Sequence, residues 1–234
     1  MKNVGYLERI LRARVYDVAI ESPLDAAPAL SKRLGDLSVY SLRADGLEPL
    51  AIDCHAALLG TSEAVAPYPT LDALAAHVDL SKLSRAPGRF DVEELRNLNA
   101  KLLHMLTFEA VASRLAAAGL AVSADLWAAV HGNIATLSDV RTWIEVVEGP
   151  LTPRIEDAAT CTAAASLLPP EPWNADTWSA WTTAIREATG HKGKALFHPL
   201  RLALTAREAG PEMRALLPLI GRARAAARLN GQTA

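Results

Sequence analysis

No apolar run in this 234-residue chain approaches the roughly 18–20 residues a helix needs to cross a bilayer. A membrane-spanning role is therefore not expected, and the N-terminus "MKNVGYLERILRAR" is too charged to form a signal-peptide core. Cysteine is nearly missing as well. Cys54 and Cys161 stand alone, far apart and in no metal-ligand spacing, which argues against a disulfide framework and for reduced thiols in a cytoplasmic protein. Aromatic residues make up only 5% of the chain, and alanine and leucine dominate, which favours helix over sheet. Chemical motifs are equally sparse. The histidines (His55, His77, His104, His131, His191, His198) form no HExxH pair, no glycine-rich loop follows a strand, and no Cys–His or Ser–His pair stands out by spacing. No cofactor is expected.

What is present is enough apolar residue, half of the chain, to bury a sizeable core. The net charge of −2 hides an asymmetry. From Arg186 onward nine Lys/Arg face three acids, a surplus of +6, whereas fifteen bases face twenty-three acids before it, giving −8. A basic C-terminal quarter on an acidic body suits a polyanionic partner, although a solvated helical surface has the same composition. Proline and glycine clusters ("PYP" at 67–69, "RAPGRF" at 85–90, "GPLTPR" at 149–154, "PPEP" at 169–172) divide the chain into helical blocks. Asp91 with Glu94 predicts a capping box opening a helix to about His104, with Val92, Leu95, Leu98, Leu102 and Met105 on one face. Thr107 is expected to cap the next helix and Gly119 to end it, and "NADTWSAWTTAIREATG" carries both a start signal and a stop at Gly190. Only "RVYDVAI" near the N-terminus suggests an extended segment.

Residues 190–229, "GHKGKALFHPLRLALTAREAGPEMRALLPLIGRARAAARL", concentrate the interesting chemistry. Gly193 permits close backbone approach, and Lys192 and Lys194 can meet phosphates as point charges. Arg201 sits in an otherwise apolar run, where its planar fork suits stacking on, or hydrogen bonding to, an unpaired base. With few acids nearby, its guanidinium is expected to reach the surface beside the two lysines. Trp173, Trp178 and Trp181 could stack on bases, but at helical spacing they are more readily explained as packing anchors.

This stretch, with Gly-x-Lys-Gly-Lys, Leu-Phe-x-Pro-Leu-Arg and Ala-Leu-Thr motifs, resembles the C-terminus of bacterial glutamyl-tRNA synthetases of the alphaproteobacterial type. "LNAKLLHMLTFEAV" (98–111), "GNIATLSDVRTWIEVV" (132–147), "LPPEPWNADTWSAW" (168–181) and "DGLEPLAIDCHAALLGTSE" (45–63) extend the likeness over about 29–234. The resemblance implies an all-α fold, the helical-bundle anticodon-binding domains of a class I glutamyl-tRNA synthetase, with a short mixed N-terminal segment. It implies a stem-contact-like region at 35–90, a first anticodon-binding domain at 91–135 and a second at 136–234. The partner implied is the anticodon arm of a glutamate-type tRNA. Arg201 would read a base, and Lys192 and Lys194 would contact the RNA backbone. Gly210 stands where relatives carry a small polar reader, and His131 where they often carry arginine.

"ALSKRLGDLS" (29–38) resembles the end of the family's Lys-Leu-Ser-Lys-Arg loop, with Ala29 in place of the first lysine. The His-Ile-Gly-His-type signature and the nucleotide-binding fold expected before it are not in this sequence, so no aminoacylation is expected. Residues 1–34 instead resemble the N-terminus of biosynthetic threonine deaminase, through "VYDVA", "SPL" and "LSKRL". The two likenesses overlap at "LSKRL", as in a chimera. Two alternatives to RNA binding follow. Ser31 occupies the loop serine that persister-type toxin kinases phosphorylate in the synthetases, so the chain could serve as a decoy or antitoxin. An inert fusion product is the other.

Overall fold

The computed structural model describes residues 38–59, 61–82 and 90–234. Residues 1–34, including Ser31 and the "RVYDVAI" segment, lie outside the described residues, as does "RAPGR". Two compact units are present, 1–45 and 46–234. Helix α1 (Val39–Ala44) belongs to the first, and Ser38 and Ser41 close a reciprocal capping box at its start. The second unit contains the helices α2 (Pro49–Leu58), α3 (Leu71–His77), α4 (Val92–Met105), α5 (Phe108–Ala117), α6 (Ala124–Val130) and α7 (Val140–Glu148). It continues with α8 (Ala158–Ser166), α9 (Thr177–Thr189), α10 (Lys194–Thr205), α11 (Met213–Ile220) and α12 (Arg222–Leu229). No β-strand occurs among the described residues, and none of their helices is long and apolar enough to cross a membrane. The expected all-helical character is observed.

Local signals explain most boundaries. Asp91 accepts from the backbone N–H of Glu93 (2.9 Å) and Glu94 (3.3 Å), and Leu95, Leu98 and Leu102 of α4 are buried. The capping box expected from Glu94 does not form reciprocally, because its carboxylate pairs with the buried His55 at 3.3 Å. Met105 ends the apolar stripe exposed. Gly119 and Gly190 terminate α5 and α9 with φ of +70° and +75°, as residues without Cβ allow. Thr107 precedes α5 but makes no side-chain capping bond to its backbone.

A single apolar cluster runs from Leu103 to Leu229, and a smaller one gathers Cys54, Leu58, Leu74 and Leu98. Asn99, fully buried on α4, joins separate parts of the chain: its Oδ1 accepts from Glu48 N–H (2.7 Å) and its Nδ2 donates to Ala135 O (2.6 Å). Glu48 in turn forms an ion pair with Arg114 of α5.

The largest departure from the sequence reading is Arg228. It counts toward the basic tail, yet it is 0% exposed. Its Nη1 donates to Val146 O (2.6 Å) and Leu204 O (2.9 Å), its Nε to Ala234 O (2.8 Å), and its Nη2 to Gly149 O (3.3 Å). Burial, and secondarily Arg224, pulls its pKa down to about 10, so it remains a cation at neutral pH. The C-terminal residues are held by the same knot, since Leu151 and Ala234 exchange backbone hydrogen bonds of 2.9 and 3.2 Å.

Two predictions follow from this packing. Arg228→Met should strand several buried carbonyls at about 1–3 kcal/mol each, lowering unfolding stability in urea by about 3 kcal/mol or more; a loss below about 1 kcal/mol would contradict the hub role. Cys54 and Cys161 are both buried, and burial raises the Cys161 thiol to about 11. Neither should react with a thiol reagent at pH 8 in the native state, and both should react in denaturant.

Candidate nucleic-acid interface

The basic segment begins at the turn between α9 and α10. Its register is set by a hydrogen-bonded chain. Thr160 Oγ1 donates to Asp157 Oδ2 (2.6 Å), which leaves His191 Nδ1–H as the donor to Thr160 Oγ1 (2.9 Å). Asp157 is the N-cap of α8 and also accepts from Thr160 N–H at 2.9 Å. These bonds from Thr160 hold the Asp157 carboxyl below its ordinary pKa, with a smaller contribution from His191. His191 thereby fastens the turn that presents Lys192 and Lys194, both exposed and without a carboxylate partner among the described residues.

Arg201 lies seven residues after Lys194 on α10. At 100° per residue the two are about 20° apart on one face and about 10 Å apart along the axis. The expectation that the Arg201 guanidinium reaches the surface needs correction. The side chain is half-buried, Nη2 donates to Pro211 O at 3.0 Å, and Nη1 is enclosed without a hydrogen-bond partner. Burial lowers its pKa. No carboxylate pairs with it among the described residues. The physical reason is the return of the chain after α10: the loop folds back over the arginine instead of leaving it in water.

That loop is tightly specified. Thr205 Oγ1 donates to Arg201 O (2.7 Å) and accepts from Arg207 N–H (3.2 Å). Ala206 takes a left-handed conformation at φ +54°. Gly210, with φ +148°, sits directly on Trp143 of α7: a Cβ there would stand 2.2 Å from the indole Cη2. The absence of a side chain at 210 is thus matched to the tryptophan beneath it. Arg207, exposed, lays its guanidinium over the same indole, 5.9 Å from the ring centroid. Arg201 and the Gly210–Pro211 turn, separate in sequence, are brought into direct contact.

His131 is placed differently. It follows α6, stacks on Trp127 (5.7 Å between centroids), and its Nδ1 bonds Trp127 O at 3.1 Å. No contact among the described residues joins it to Arg201, although α6 packs on α11, the helix after Pro211. The three tryptophans act chiefly as anchors. Trp181 is buried and donates to Ala164 O (3.0 Å), Trp173 donates to Pro169 O (3.2 Å), and Trp178 packs between Trp181 and Phe197. Sequence reasoning missed Trp143 and Arg207. Arg207 figured there only as one charge of the basic tail, and its meeting with Trp143 and Gly210 joins residues far apart in sequence.

Residues 123–232 match the family of the anticodon binding domain. Over 207 residues the chain is 55% identical to glutamate-tRNA ligase 2 of Methylobacterium sp. (strain 4-46), covering 88% of this chain and 46% of the relative. It is 51% identical over 213 residues to glutamate-tRNA ligase 2 of Xanthobacter autotrophicus, covering 90% and 46%. The chain thus spans about half the length of these relatives. The crystal structure of the glutamate-tRNA synthetase from Elizabethkingia anophelis shares the fold, with a TM-score of 0.64 at 21% identity, covering 81% of this chain and 41% of that one.

Because the folded-state pKa of Asp157 is depressed, its contribution is present above the ordinary carboxylate value of 3.8 and is lost as pH falls through the lower folded value. Asp157→Ala should cost about 1 kcal/mol at pH 7, the usual worth of an N-cap. The gap between parent and variant in urea titrations should narrow steadily below pH 4. A pH-independent gap would argue against the carboxylate as the cap.

Proposed function

We propose that this chain is a non-catalytic tRNA-binding module that docks the anticodon arm of a glutamate-type tRNA. The observation that carries the reading is the Arg201–Pro211 contact inside the region similar to anticodon binding domains. This contact supports the reading because the guanidinium that the resemblance implies as a base reader lies beside the turn where the resemblance implies a second one. Arg201 keeps donor capacity that the protein does not use, since Nη1 is enclosed without a partner, and a shift of the loop after α10 would bring it to an unpaired base edge or phosphate. Lys192 and Lys194 are the backbone contacts on the same approach. Gly210 contributes backbone rather than side chain, and His131, tied to Trp127, contributes its ring.

Residues 35–90 are assigned to the stem-contact role and 91–135 and 136–234 to the anticodon role. Ligation of glutamate belongs to the relatives' names, and this chain spans about half of their length. The threonine-deaminase-like character of residues 1–34 and the decoy or fusion readings rest on sequence alone. Ser31 lies outside the described residues, and no observation favours a kinase partner.

The test is binding of the full chain to a glutamate-tRNA anticodon stem-loop, titrated across salt concentrations. With a handful of phosphate contacts, log Kd against log salt should have a slope of only a few units. Arg201→Ala should weaken binding by about 1–3 kcal/mol, the scale of one stacked base. Its stability should shift by no more than about 1 kcal/mol, because loss of the Pro211 bond is offset by removal of an enclosed nitrogen. No binding by the parent at low salt, or equal binding by parent and variant, would refute the reading.

A further inference from the structure

The loop after α10 carries a second guanidinium whose setting differs from that of its neighbours. Arg154 spends its donors on Glu156 (3.0 Å) and Glu208 (3.5 Å), and Arg214 on Glu212 (2.5 Å). Those pairs also consume the acids of the loop. Arg207, flanked by Ala206 and Glu208, has no carboxylate partner among the described residues and lies over the Trp143 ring instead. The difference is chemical. A guanidinium stacked on an aromatic face is held by its π-surface, while its N–H donors radiate in its own plane and stay available. An ion-paired arginine has already used them.

We propose that Arg207 is a phosphate-contact residue for RNA and that Trp143 is the residue that positions it. Trp143 is fixed: it is 6% exposed, in the core cluster, with Gly210 against its edge. The loop is tied to α10 at both ends, by Thr205 bonding Arg207 N–H and by Arg201 bonding Pro211 O. With its backbone tethered and its guanidinium over the indole at 5.9 Å, the arginine loses part of its conformational freedom before it meets a phosphate, and a bidentate fork onto two phosphate oxygens is open to it. Arg201 and Arg207 thereby divide the work, the first enclosed and beside the reading turn, the second exposed and directed at the RNA backbone. This inference rests on the RNA-binding reading above and extends it to two residues that the family likeness did not supply.

The experiment uses the full chain and the glutamate-tRNA anticodon stem-loop, with Kd measured between low and moderate salt for the parent, Arg207→Gln, Trp143→Phe, Trp143→Leu and Arg214→Gln. Arg207→Gln should weaken binding about 3- to 10-fold at low salt and reduce the salt slope by about one unit, the signature of one lost phosphate contact. Arg214→Gln, which removes the same charge from an ion-paired site, should leave the slope unchanged. Trp143→Phe keeps an aromatic face and should retain the parental slope, whereas Trp143→Leu, if it folds by circular dichroism, should reproduce the slope of Arg207→Gln. Equal slopes for parent and Arg207→Gln, or the same reduction in Arg214→Gln, would overturn this proposal while leaving RNA binding intact. Absence of binding by the parent would overturn both.

Discussion

Helix ends are the recurring structural problem in this molecule, and one buried arginine solves several of them together. The last four carbonyls of a helix have no partner within it, and their partial negative charge favours a cation. Val146 lies in the last turn of α7 and Leu204 in the last turn of α10, and both carbonyls point at the Arg228 guanidinium together with those of Gly149 and Ala234. A planar fork can bind that many acceptors from four segments, whereas an ammonium could not span them. The converging carbonyl dipoles of the two helix ends supply a negative field at the guanidinium. Two helices of the candidate interface meet at this knot: α7 holds Trp143, and α10 holds Lys194 and Arg201.

Arginine on this half of the chain is thus used in three physically different ways. Arg228 is consumed by carbonyls and cannot meet a ligand. Arg154 and Arg214 are consumed by carboxylates at the surface, where such pairs contribute little to stability. Arg201 and Arg207, at the loop after α10, keep unused donors, one through an enclosed nitrogen and one while lying over an indole. Counting charge in the sequence treats all of these alike, which is why the +6 surplus overstates the basic surface. What separates them is how many donors each has left.

Helical blocks were legible from local chemistry because their signals are local: Asp91 before a periodic apolar run, and glycine at 119 and 190. The failures are equally instructive. Glu94 has the right spacing for a capping box, but a buried imidazole thirty-nine residues away competes for its carboxylate. Arg228 sits three residues from Ala225 and next to Leu229, both buried, so its place on the apolar stripe was visible; its carbonyl partners, spread from 146 to 234, were not. Arg201 could be singled out as an isolated charge in an apolar helix. That the following loop would fold back and enclose it depends on Ala206, Thr205 and Pro211 acting in concert, which periodicity does not encode.

The glycine at 210 shows how a local substitution and a distant one become a single feature. Read alone, it is a lost side chain at a position where relatives are inferred to present a small polar group. In the fold, the vacated volume belongs to Trp143, whose Cη2 would lie 2.2 Å from any Cβ placed there. Restoring a polar side chain at 210 would not restore a reader, because it would first have to displace an indole that is packed in the core and covered by Arg207. The glycine and the tryptophan therefore stand or fall together. On the proposed RNA-binding reading, the loop would offer a ligand backbone and guanidinium rather than a hydroxyl, so recognition at this turn would shift from hydrogen-bond readout of a base toward charge and stacking, and discrimination between bases here would rest on Arg201.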